Sequence, residues 1–136
     1  MTNTPRQDID AKMATGTTTV AISNVIIKNN LTGHRGVHIV DGISGPQILH
    51  SEIHSPNGAY VGMAIGDGIA IICGNYIHHF EYPISVVGLV YVQANFVEQL
   101  RSDSPTAHVD RIEVYAGSDV YVWGNSFILT EDSTGR

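Results

Sequence analysis

The sequence predicts an all-β chain wound into a stack of short parallel coils, and three observations carry that prediction. Five nine-residue windows superimpose without gaps, each alternates its apolar positions with period two, and glycine-bearing turns separate them. Composition agrees. There are 14 glycines and only 15% charged residues, against about a quarter in ordinary soluble domains, and 43% hydrophobic residues give 136 residues enough for a core.

The windows are "NVIIKNNLT" from Asn24, "GPQILHSEI" from Gly45, "IAIICGNYI" from Ile69, "LVYVQANFV" from Leu89 and "DVYVWGNSF" from Asp119. Their seventh positions, Asn30, Ser51, Asn75, Asn95 and Asn125, are 21, 24, 20 and 30 residues apart, too irregular for a helical solenoid and suited to coils that differ in their loops. The second positions (Val25, Pro46, Ala70, Val90, Val120) and the fourth (Ile27, Ile48, Ile72, Val92, Val122) form an inward face, as strand geometry requires. Two residues beyond the seventh position come Ile53, Ile77, Val97 and Phe127, with Thr32 as the polar exception, so the chain turns there and starts another strand. A further strand-like piece lies upstream of each later window: "GVHIV" (36–40), "YVGMAI" (60–65), "YPISVV" (82–87) and "DRIEVY" (110–115).

Three strands and three turns in about 20–30 residues is the unit of a parallel β-helix. With strands about 4.8 Å apart, five coils make a stack about 20–25 Å tall. Asn30, Asn75, Asn95 and Asn125 are expected to form a structural ladder, because asparagine tolerates left-handed backbone angles and its amide can bond the amide one coil away. Residues 1–23 read as an N-terminal cap or strap, 24–129 as the stack and 130–136 as a polar tail, with little apolar surface there to cover the last coil.

The run "HVDRIEVYAGSDVYVWGNSF", residues 108–127, resembles the coil repeat of right-handed parallel β-helix proteins of the pectate-lyase-like superfamily. The resemblance spans about residues 20 to 129. It implies a right-handed stack whose asparagine column lies at the turn between the second and third sheets. It also implies that the outer groove of the first sheet is where family members bind sugar. Polysaccharide lyases, hydrolases, epimerases, phage tailspikes and adhesins share this scaffold, so function must come from the site.

A polar insertion, "EQLRSDSPTAH", leads into that first sheet and would bring Arg101, Asp103, His108, Asp110 and Glu113 beside a bound glycan. Lyase or epimerase chemistry needs a base near a sugar C5 and a cation for the uronate, roles for His108 with Asp110 and for Arg101 or Arg111. His38, Asp103, Arg111, Glu113 and Tyr115 are the expected glycan contacts. The plainer reading is that His108 caps its strand by bonding Asp110 or a loop carbonyl. Against catalysis, the other outward positions of this sheet are His38, Ala64 and Ser85, and no pair of carboxylates recurs at a separation suited to glycoside hydrolysis. The clustered calcium-binding aspartates and the catalytic arginine motif of the pectate-lyase families are also missing.

No metal centre and no cofactor are expected. "HSEIH" has an i,i+4 pair, His50 and His54, that would converge only on a helix, and His78 and His79 are adjacent and face opposite ways on a strand. The net charge of −6 with five scattered arginines and two lysines leaves no basic stripe, so nucleic acid is not an expected partner. Cys73, the single cysteine, excludes an intrachain disulfide. No stretch reads as a signal peptide or membrane span, so a soluble chain with no membrane partner is expected.

The outer face of the second sheet is unusually apolar. If positions two and four point in, positions three and five point out and include Ile26, Leu49, Ile71, Tyr91, Tyr121 and Trp123. A contiguous apolar patch of this kind marks an interface. A homo-oligomer is expected, a trimer by resemblance to tailspikes, with sugar stacking on Tyr91, Tyr121 and Trp123 as the lesser possibility. The expected function is a noncatalytic structural or glycan-binding element of a virion appendage or surface adhesin that contacts polysaccharide. The alternative is a lyase or epimerase acting on uronate-containing glycans.

Overall fold

The computed structural model describes residues 9–11, 21–28, 37–39, 45–55, 63–65, 71–100, 111–116 and 119–128. These residues are all-β, without helices, and every strand pairing is parallel. The arrangement is compatible with the expected parallel solenoid.

Among the described residues, fifteen strands fall into three five-stranded sheets, each sheet taking every third strand in chain order, and three consecutive strands, one from each sheet, are termed a coil. The first sheet contains β1 (Ile9–Ala11), β4 (Val37–Ile39), β7 (Met63–Ile65), β10 (Tyr82–Val87) and β13 (Glu113–Ala116). The second contains β2 (Ala21–Ser23), β5 (Gln47–Leu49), β8 (Ile71–Cys73), β11 (Val90–Gln93) and β14 (Val120–Trp123). The third contains β3 (Ile26–Lys28), β6 (Glu52–His54), β9 (Tyr76–His78), β12 (Phe96–Glu98) and β15 (Ser126–Ile128).

Registers stack like residues over like residues. Ile22, Ile48, Ile72, Val92 and Val122 form one column of the second sheet, and Ile27, Ile53, Ile77, Val97 and Phe127 form one of the third. Val37, Ile65 and Ile84 supply the first sheet's wall of the core. Alternation along each strand sends all three columns inward, and their middle members are fully buried together with Phe80 and Leu100. Val122 keeps the inward register in the last coil yet is 48% exposed, because the next strand of its sheet lies on one side only.

The first coil differs from expectation. β3 pairs with β6 so that Ile27 faces Ile53, which puts Val25, not Asn30, at the level of Ser51. The window from Asn24 is therefore displaced by five residues. Its apolar alternation matches either setting, and only the pairing distinguishes them. Asn30 itself lies outside the described residues. Upstream of Asn24, β1 pairs with β4 and β2 with β5.

The corner between the second and third sheets is built from two successive positions. At the first, Asn24, His50, Gly74, Ala94 and Gly124 all have φ between 46° and 68°, the left-handed region. Left-handed geometry thus belongs to the residues before Asn75, Asn95 and Asn125 and not to those asparagines. At the second position, Val25 in the first coil and Ser51, Asn75, Asn95 and Asn125 in the later ones, the polar side chains bond the neighbouring coil. The Asn75 backbone N–H and its Nδ2 both donate to Asn95 Oδ1 at 3.0 Å, and those of Asn95 both donate to Asn125 Oδ1 at 2.9 Å. The remaining Nδ2 hydrogens go to the carbonyls of Ile48, Ile72 and Val92. Ser51 takes part through its backbone N–H, which donates to Asn75 Oδ1 at 3.0 Å.

Candidate functional site

Two outer surfaces carry chemistry. On the second sheet, Tyr91 and Tyr121 are in register on β11 and β14, and two positions further Gln93 stands against Trp123. Period two puts Tyr121 and Trp123 on one face. The Tyr91 and Tyr121 rings stack with centroids 5.0 Å apart and planes 10° from parallel, and Trp123 meets Tyr91 edge-on at 6.2 Å. All three rings are exposed, Trp123 by 46%. Ile71 and Leu49 continue the wall toward the N-terminal coils and are half-buried. Ile26 does not belong to it: it lies on β3 in the third sheet, exposed by 64%, a consequence of the displaced first window.

The outer face of the third sheet holds a cluster of polar side chains. Glu52 and His54 lie two residues apart on β6 and share a face, while Tyr76 and His78 do the same on β9. The pairing sets Glu52 against Tyr76 and His54 against His78. Glu52 Oε1 is 3.1 Å from His54 Nδ1 and 3.3 Å from His78 Nε2. His78 Nδ1 contacts His79 Nδ1, and Tyr76 lies against the His78 ring with centroids 4.4 Å apart and planes 21° from parallel. The His54 and His78 rings meet edge to face at 4.9 Å, and His54 Nε2 is buried without a hydrogen-bond partner among the described residues.

Burial lowers the pKa of His54 below its usual value, and the neighbouring His78 and Lys28 push the same way against the attraction of Glu52. The Tyr76 hydroxyl donates to Glu98 Oε1, and that bond, with burial and the nearby carboxylate charges, raises the tyrosine to about 12. Tyr76 is thus held as a neutral donor.

Of the residues expected to act on a glycan, Arg101, Asp103, His108 and Asp110 lie outside the described residues. His38 is placed on β4, where its backbone pairs in register with Asp10. Arg111 is exposed and so is Tyr115, whereas Glu113 is half-buried and its Oε2 has no hydrogen-bond partner among the described residues. The first sheet is also less open than expected. Ala64 and Ser85, read as outward groove positions, are fully buried, and β10 is covered on both faces through Val86.

The cluster on the third sheet was not foreseen, because its histidines meet across strands and not along the chain. The available signal is the register: both His54 and His78 stand three residues after a column position, Ser51 and Asn75. Comparison with protein-family models, curated proteins and solved structures returns no match.

Proposed function

We propose that the chain is a short right-handed parallel β-helix, stabilised by an asparagine ladder, that serves as a noncatalytic structural or glycan-binding element of a virion appendage or surface adhesin. It self-associates, as a trimer, through the outer face of its second sheet. The observation that carries this reading is the exposed aromatic shelf of Tyr91, Tyr121 and Trp123, continuous with Ile71 and Leu49. Three large rings held on adjacent strands cost water a contiguous apolar surface, and association removes it.

Trp123 is the single tryptophan and so reports on this surface directly. In the associated state its emission is blue-shifted, and dilution moves it to the red as the subunits part. Emission already red and independent of concentration would count against association through this face.

A further inference from the structure

We propose that Glu52, His54 and His78 form a binding site for one divalent transition-metal cation of the zinc type. One candidate ligand atom from each residue lies within 4.8 Å of the others, and Glu52 Oε1 is 3.1 and 3.3 Å from the two imidazole nitrogens that face it. Zinc binds nitrogen and oxygen at about 2.0–2.2 Å, so a tetrahedral shell spaces its ligand atoms by about 3.3 Å. The two measured contacts already have that spacing.

One tautomer of His78 suits a metal ligand. Of the two facing nitrogens in the His78–His79 contact, one must donate. With His78 Nδ1–H donating, Nε2 turns its lone pair toward Glu52 Oε1 3.3 Å away, a gap that a proton or a metal cation fills; with His79 donating instead, His78 Nε2–H donates to Glu52. A ligating histidine commonly donates its other ring N–H to an acceptor, the role His79 Nδ1 takes in that tautomer. Stacking by Tyr76, itself tied to Glu98, fixes the His78 ring plane.

Imidazole with one carboxylate favours zinc over the hard, oxygen-seeking calcium and magnesium. Among the described residues Lys28, in register with His54 on β3, is the cation next to the cluster, and Glu98, in register with His78 on β12, offsets it from the other side. Three protein ligands leave a fourth position for water or an incoming donor. Because the ligands come from β6 and β9, the ion joins the second coil to the third and stabilises the stack by mass action.

The test is titration of the untagged, chelator-treated chain with zinc chloride by calorimetry, alongside H54Q and H78Q. One ion per chain is expected, with affinity falling by more than about 100-fold in each variant, beyond what loss of an outer-shell partner costs. Zinc should raise the melting temperature of the parent alone. Absence of saturable binding, or equal affinity in parent and variants, would overturn the proposal. Should either variant fail to fold, diethyl pyrocarbonate labelling of the parent decides: zinc should shield His54 and His78 and leave the exposed His50 reactive, whereas equal labelling of all three with and without zinc would overturn the site.

Discussion

Asn95 accepts both hydrogens that Asn75 turns toward it, the backbone N–H and one Nδ2 hydrogen, each at 3.0 Å, in a corner where both residues are 1% exposed. Its own Nδ2 is divided between Asn125 Oδ1 and the carbonyl of Ile72. Asn95→Ala orphans two donors and deprives two acceptors at once. A buried unsatisfied group costs about 1–3 kcal/mol, so a loss of more than about 3 kcal/mol is expected from the urea midpoint. Asn95→Ser should cost less, because Ser51 already fills the same corner and accepts the Val25 N–H through Oγ.

Inward and outward columns should differ sharply. Ile72 is fully buried between Ile48 and Val92, and Ile72→Ala should cost about 2–5 kcal/mol. Ile26, outward on the third sheet, should tolerate alanine within about 0.5 kcal/mol. Similar losses at both positions would contradict the assigned faces.

The left-handed corner gives paired substitutions of opposite sign. Gly74 has φ 68°, and a Cβ there would come 2.6 Å from the Cδ2 of His50. That exposed ring can move, so the cost of Gly74→Ala is chiefly the backbone's, about 1 kcal/mol. Ala94 occupies the equivalent place at φ 53°, and Ala94→Gly should raise the thermal midpoint slightly. A stabilising Gly74→Ala would refute this reading of the corner.

A noncatalytic role predicts no unsaturated product when the protein is incubated with uronate polysaccharides and the ultraviolet absorbance is followed. Turnover abolished by replacing both His108 and Asp110 with alanine would instead favour the lyase or epimerase.

The repeat was legible because strand alternation writes itself into the chain: Ile48, Ile72 and Val92 recur at the fourth position of the three middle windows and stack in one buried column. The four upstream pieces also fall on strands, β4, β7, β10 and β13. The first coil was not legible, since Val25 fills the column with a side chain that carries no amide, and "NVIIKNNLT" offers Asn30 as a false match. The histidine cluster escaped for a related reason. The nine-residue windows end at Ile53 and Ile77, one residue short of His54 and His78, and a contact between coils appears only once register is known. Nor does sequence show that Ser85 is covered, because burial of an outward position depends on what packs over the sheet.

Sedimentation equilibrium of the untagged chain at several concentrations tests the central proposal most directly. A mass three times the 14.7 kDa of one chain, reduced by charge placed at Tyr121 or Trp123, is the predicted result. A monomer at every concentration would contradict association through the second sheet.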